Sequence, residues 1–413
     1  MFWINKDYFL LWTGQLVSQL GDKFYAIALA WWVLERTNSP AVMGFFMVVS
    51  VLPELLFGLI AGGFIDRWNR KAIIVASDIF RGLAVIVVTI LLTMGLLEVW
   101  HVFIAAAVIS LASAFYNPSV MAVVPQLVES NEIPRANSLS QMIGGLASVA
   151  GPVLGAALVG LAGYWPVFAI NGLSYLAAAL LASFISLAPD LQAGHKASLL
   201  EDLKEGFKFI SNSRLVFVIL IVIGVVHVFY GSLAVAMPFL AKSLAGDGIR
   251  NLAYFETAMG AGLILGAVLI GNRKLKSVNT SPLFAAIITF GICFTLLGLA
   301  RSGGIIISAP YIAIGTAVAV ASVYWRSILQ VHVPNNLAGR VFSVAAVIAD
   351  VSLPISFGIF GIALNYFSLA GVMISCGLSL IIISGLFFKV LSVSREACQG
   401  DGVVDTLFKL SGY

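Results

Sequence analysis

The feature that most constrains this chain is a succession of twelve apolar stretches, each long enough to cross a bilayer and each ended by a short polar break. Dividing the sequence at charge clusters and at Gly, Pro and Asn turns places them near 8–34, 41–64, 72–95, 99–124, 136–162, 164–187, 214–242, 252–272, 280–300, 304–333, 339–363 and 368–391. A spanning helix needs about 20 residues, so twelve occupy about 240 of the 413. Apolar residues make up 60% of the chain and charged ones 10%, against about 25% charged in soluble domains, which excludes water as the solvent of its surface. In lipid, each segment must satisfy its own backbone hydrogen bonds, so runs of this length become helices. The predicted fold class is an all-α membrane protein with twelve transmembrane helices. The first stretch is too long for a signal-peptide core and lacks an obvious cleavage site, so it is expected to be retained as a span.

The net charge of +4 does not point to nucleic acid, because the cations are distributed by loop. Sixteen of the 23 Lys and Arg fall on the side that holds both termini, four (Arg36, Lys242, Arg250, Arg301) on the other, and three (Lys23, Arg81, Arg326) inside apolar segments. The positive-inside rule makes the rich side cytoplasmic. A multi-pass protein of the plasma (inner) membrane is expected, with cytoplasmic N- and C-termini. Cys293, Cys376 and Cys398 are scattered, so neither a disulfide framework nor a metal site is implied, and no cofactor is expected.

One long polar connection, 188–213, separates the sixth and seventh stretches. Within it Ser198 and Glu201 have capping-box spacing, and Leu199, Leu203, Phe207 and Ile210 share a helical face, which predicts an amphipathic helix on the membrane surface. The expected units are 1–187, the linker 188–213, 214–391 and a cytoplasmic tail 392–413. Two passages echo each other: Val124-Pro125, Ala136 and Gly151-Pro152 answer to Val333-Pro334, Ala338 and Leu353-Pro354, with Ala136 and Pro152 each 202 residues before its counterpart. Two six-helix halves in parallel orientation follow, with a cavity between them near the bilayer midplane.

The loop after the second stretch reads GGFIDRWNRK. It combines a glycine turn at Gly62 and Gly63, a carboxylate at Asp66 placed to cap the next helix, and the cations Arg67, Arg70 and Lys71. With Asp78-x-x-Arg81, NPSVMAVVPQLV from Asn117, Ala136-Asn137-Ser138-Leu139, Asn171-Gly172-Leu173-Ser174 and LQVHVPNNLAGRVFS from Leu329, the chain resembles the major facilitator superfamily. Within it the likeness is to the branch containing macrolide-efflux proteins and the enterobactin exporter, from about Asp7 to Leu391. The resemblance implies two pseudo-symmetric halves and a cytoplasmic gate at Gly62, Gly63, Asp66, Arg67, Arg70 and Lys71, to which Asp78 and Arg81 are assigned. GGLASVAGPVLGAALVG, from Gly144 to Gly160, resembles the superfamily's antiporter motif at Gly151, Pro152 and Gly155, which implies export; close helix packing by small residues accounts for the same composition. Two departures stand out. Trp100 to Val124 holds no Arg or Lys, where proton-coupled drug exporters often carry an arginine, and Gly271 to Ser277 keeps cations without a carboxylate.

Charges inside the hydrocarbon cost about 2.5–3.5 kcal/mol or more and need a partner, water or a role. Counting about 1.5 Å per residue, Asp22, Glu54 and Asp350 fall near mid-membrane, as candidate sites for a proton or a cationic substrate or as members of ion pairs with Lys23, Arg81 or Arg326. Arg326 either attracts an anionic substrate or neutralises Asp350, and His227 either titrates or packs. Glu256 is placed too near the outer end of its helix to be central. Phe24, Tyr25, Tyr116, Tyr230 and Trp325 are candidate cavity aromatics; Trp31 and Trp32 suit a cavity or the interfacial belt equally.

The resulting expectation is a secondary active exporter of a bulky amphipathic molecule, such as a macrolide or a siderophore, working as a monomer by alternating access with protons as coupling ion. A lipid or lysolipid flippase and an uncoupled facilitator are the alternatives. A non-transporting sensor is disfavoured by the short tail after Leu391. An enzyme is disfavoured because no Walker loop, His-Glu-x-x-His or Gly-x-Ser-x-Gly is present.

Overall fold

A computed structural model describes residues 4–65, 68–187, 208–271, 280–300 and 307–400. Twelve long helices run through them: α1 (Lys6–Thr37), α2 (Pro40–Ile65), α3 (Arg70–Thr93), α4 (Val99–Leu127), α5 (Ile133–Ala162), α6 (Tyr164–Ser183), α7 (Arg214–Ser243), α8 (Gly248–Gly271), α9 (Ser281–Gly298), α10 (Ser308–His332), α11 (Asn335–Tyr366) and α12 (Leu369–Gly400). No strand occurs among the described residues. Eleven of the helices are long and apolar enough to cross a membrane; α1 is not among them, because Gln15, Ser18, Gln19, Asp22 and Lys23 dilute its apolar content. Helix ends follow local chemistry. Asn5 accepts a hydrogen bond from the Tyr8 N–H at 2.8 Å at the start of α1, and Asn38 closes that helix in the left-handed region with φ 45°. Of the expected linker helix, the described residues hold one short turn at 208–212; the rest of that linker and the end of the tail lie outside them.

The helices form two bundles with the same internal wiring. In the first, α1 packs on α5 and α6, α4 on α2 and α3, and α3 on α6; in the second, α7 packs on α11 and α12, α10 on α8 and α9, and α9 on α12. Each contact reappears six helices later. The offset of 202 read in the sequence is also the spacing between the first residues of α5 and α11, Ile133 and Asn335. The bundles meet along two helix pairs that exchange under the same operation, α2 with α11 and α5 with α8.

Twelve crossings leave α1 beginning and α12 ending on one face, here the terminal face. At the opposite face the bundles are closed. A Cβ on Gly44 would stand 2.8 Å from the Gly361 Cα, one on Gly248 would run into the Trp31 ring, and Lys242 Nζ donates to Asn38 Oδ1 at 3.0 Å. Closer to mid-membrane α5 and α8 still touch: Thr257 Oγ1 donates to the Val149 carbonyl at 3.3 Å, and a Cβ on Gly260 would lie 2.9 Å from the Ser148 carbonyl oxygen. Seven residues further toward the terminal face, Gln141 of α5 and Ala267 of α8 are both exposed, so the helices have parted there. The molecule is a V that opens toward its terminal face.

Candidate functional site

The first bundle encloses a charged cluster. Asp78 and Arg81 stand one turn apart on α3, with Arg81 Nη2 2.9 Å from Asp78 Oδ1, and only 1% and 5% of each residue is exposed. The guanidinium lies 3.9 Å from the centre of the Tyr116 ring of α4 and 4.9 Å from that of Tyr175 of α6. Stacking of this kind suits a delocalised cation held away from water. The Tyr175 hydroxyl donates to Asp22 Oδ1 of α1, and Arg81 is within electrostatic reach of Asp22 as well. Asn171 and Ser174 of α6 press against α1 at Gly21, where a Cβ would meet the Asn171 Oδ1 at 2.6 Å. Four helices thus converge on two carboxylates and one guanidinium.

A second group lines the opening of the V. Asn117 Nδ2 of α4 donates to Glu54 Oε1 at 2.7 Å, and the Ser110 hydroxyl of the same helix accepts from the Glu54 N–H at 3.0 Å, a bond that fits the ladder gap left by Pro53 next to it. From the level where Gly44 meets Phe357 and Gly361, Glu54 is ten residues down α2 and Asp350 seven to eleven down α11, so the two stand at similar depth on facing bundles, within electrostatic reach of each other. His227 of α7 is within reach of Asp350, and its Nδ1 bonds the Ile223 carbonyl at 2.8 Å, leaving Nε2 to face outward from the helix turn. His227, Tyr230 and Trp325 line a cavity of about 280 Å³ inside the second bundle. Arg326 is exposed and lies 5.3 Å from the Trp325 ring centre.

The structure separates other residues that the sequence groups. Asp78 and Arg81 are buried within the first bundle. Asp66 and Arg67 lie outside the described residues; Gly62 and Gly63 are in the last turns of α2, Lys71 is half-buried at the start of α3, and Arg70 Nη1 donates to the Ala122 carbonyl of α4 at 3.4 Å, a tie within one bundle. Tyr25 is buried and sits edge-on to Phe168 at 4.9 Å, and Tyr116 is buried and covered by Arg81. Phe24 is half-buried with its backbone against Gly155. Gly151 and Gly155 admit Lys23 and Ile27 of α1, so the small residues around Pro152 serve close packing of α1 on α5.

Sequence reasoning does not single out Tyr175 or Glu256. Tyr175 directly follows Asn171-Gly172-Leu173-Ser174 and is four residues from Asn171, hence on its face, which is the available signal. Glu256 reads as peripheral when its span starts at 252; α8 begins one turn earlier, at Gly248, which puts Glu256 about 12 Å into the helix. There it lies within electrostatic reach of Lys23 on the other bundle.

Comparison with known proteins agrees with this architecture. Macrolide efflux protein A of Streptococcus pyogenes is 25% identical over 382 residues, covering 89% of this chain and 93% of that protein. The putative bacilysin exporter BacE of Bacillus subtilis is 26% identical over 408 residues, covering 96% of each. The crystal structure of the nucleoside transporter NupG superposes with a TM-score of 0.79 at 10% identity, over 93% of this chain and 99% of NupG. The sequence model of the Major Facilitator Superfamily matches residues 11–357. With two six-helix bundles related by an internal repeat, and that match across most of its length, the chain is a multi-pass membrane transporter belonging to the Major Facilitator Superfamily.

Proposed function

We propose that the chain is a secondary active exporter in a bacterial plasma membrane, with its terminal face in the cytoplasm, moving an amphipathic small molecule outward as protons move in. Export is favoured by relatives named for macrolide efflux and for bacilysin export, and the cytoplasmic assignment by the cation bias of the loops. The observation that carries proton coupling is the cluster of Asp22, Asp78, Arg81 and Tyr175. Two carboxylates share one buried guanidinium, the only other cation acting on Asp22 among the described residues being the exposed Lys23 beside it, and a proton is the smallest species that neutralises the second carboxylate. Tyr175 joins Asp22 of α1 to Arg81 of α3, so a proton on Asp22 changes what holds these helices together. Cargo then meets Glu54, Asp350, His227 and the aromatic wall of Tyr230 and Trp325.

The test uses purified protein in liposomes under an imposed pH gradient, with an internal pH-sensitive dye and erythromycin as the added compound. Substrate-triggered proton flux that is lost in Asp22→Asn and slowed at least tenfold in Tyr175→Phe supports the reading. Erythromycin movement that ignores the gradient, in wild type and variants alike, refutes the coupling. One observation favours a second reading, lipid or lysolipid flipping: an apolar groove of about 860 Å³ between α3 and α4 runs from Trp68 past Ala72 and Phe80 to Phe115. Translocation of fluorescent lysolipid in the same vesicles separates the two.

A further inference from the structure

Lys23 and Glu256 are a pair of opposite charges that the cluster above does not use. Their depth follows from one contact. Trp31 of α1 meets Gly248 of α8; Lys23 lies eight residues before Trp31, Glu256 eight after Gly248, and the helices are antiparallel, so both sit about 12 Å from that contact toward the terminal face. The same turn of α5 confirms the level. A Cβ on Gly151 would collide with the Lys23 side chain, and Thr257, next to Glu256, bonds the Val149 carbonyl at 3.3 Å. Lys23 and Glu256 therefore stand at one level beside the same turn of α5, one on each bundle and within electrostatic reach of each other.

Neither has a partner among the described residues. Lys23 is exposed, Glu256 is half-buried, and no hydrogen bond or ion pair within 4.0 Å involves either, although they are within electrostatic reach. Asp22, the chain neighbour of Lys23, points about 100° away and is bonded by Tyr175. Around Glu256 stand Tyr230 of α7 and Tyr311 of α10, and the Tyr311 hydroxyl is buried with no hydrogen-bond partner. Unpaired charge and an unpaired hydroxyl at membrane depth are costly to keep. Rocking of the bundles does not relieve that cost. Lys23 and Glu256 lie within about a turn of the contacts that α5 and α8 keep at Val149 and Ser148, the level from which the V opens, and rocking about that level changes their spacing least.

We infer that Lys23 and Glu256 bind the two ends of a zwitterion: the carboxylate of the ligand on the Lys23 ammonium, and its amine on Glu256, with the hydroxyls of Tyr230 and Tyr311 beside it. An amino-acid-like or short-peptide-like molecule with an apolar body meets this chemistry. That such a ligand is cargo rests on the export reading; that it binds does not.

Four probes with one body and different ends test the site on full-length protein in nanodiscs, by isothermal calorimetry without a gradient: Phe-Phe, Phe-Phe amide, N-acetyl-Phe-Phe and N-acetyl-Phe-Phe amide. The expected result is at least tenfold tighter binding of Phe-Phe than of either singly charged probe, with the neutral one weakest. Glu256→Gln should remove the advantage of the free amine and Lys23→Met that of the free carboxylate, each leaving the other preference in place. Equal affinity for the four probes, no binding of any, or an equal loss of all four in both variants overturns the proposal. Asp22→Asn keeps the two readings apart: it should abolish proton flux and leave the end-group preferences unchanged, so that failed coupling with intact preferences defeats only the proton mechanism.

Discussion

At the residue scale, the cluster on α3 shows what sequence spacing reveals and what it hides. Asp78 and Arg81 are three apart on a helix, so their pairing is legible from spacing alone; that Tyr116 and Tyr175 cover the guanidinium depends on which faces of α4 and α6 turn inward, and nearly uniform apolar helices carry no periodicity that says so. The depth of Glu256 escapes the sequence for a related reason, since a helix end shifted by one turn moves a charge about 5 Å in depth. The buried pair also yields a stability prediction. Arg81→Gln leaves two carboxylates without their cation and should cost about 3–5 kcal/mol, whereas Arg81→Gln with Asp78→Asn removes both charges and should recover most of that loss. Thermal unfolding of the detergent-solubilised protein measures the cycle. Additive losses in the double variant would show that the two side chains act independently, against the 2.9 Å contact.

At the scale of elements, twelve spans are readable because a bilayer imposes its thickness on each, and even α1, too polar to pass on hydropathy, is bounded by the polar residues at its ends. The tight helix crossings are not readable, because glycine marks close approach without naming the neighbour. Gly155 and Gly44 illustrate the two outcomes. A Cβ on Gly155 would sit 2.8 Å from the Ile27 side chain and 3.0 Å from the Phe24 backbone, inside one bundle, so Gly155→Val should destabilise the fold by about 1–3 kcal/mol. A Cβ on Gly44 would strike the Phe357 carbonyl and approach the Gly361 Cα at 2.8 Å, across the two bundles. Rigid bundles relieve that overlap by separating, so Gly44→Val should leave thermal stability within about 1 kcal/mol of wild type while opening the opposite face. Spin labels at Asn38 and Lys242, bonded at 3.0 Å here, report the opening as a longer inter-label distance in Gly44→Val and an unchanged one in Gly155→Val.

At the scale of the whole molecule, the repeat explains why closure and opening belong to one motion. The exchange that maps α2 on α11 to α8 on α5 makes the two seams between the bundles equivalent, so a rotation that separates one end of both seams closes the other. Two cysteine pairs convert this into opposed readouts. Asn38→Cys with Lys242→Cys spans the closed face, and Gln141→Cys with Ala267→Cys spans the parted ends of α5 and α8 one heptad below the Ser148–Gly260 contact. Cys293 and Cys376 are buried and do not compete for a thiol reagent, and Cys398 is replaced by Ser in the background. In resting protein a short reducible bifunctional thiol reagent should cross-link the first pair readily and the second poorly, and adding Gly44→Val should invert the two yields. Bridging the first pair with that reagent should also stop transport, and reductant should restore it, since a bridged face cannot release cargo. If both pairs cross-link equally in every background, the bundles do not rock as units. The small-residue seams would then be static joints, and any passage through the molecule would need motion inside a bundle, where the Arg81 cluster and the Gly151 and Gly155 crossings leave the least room for it.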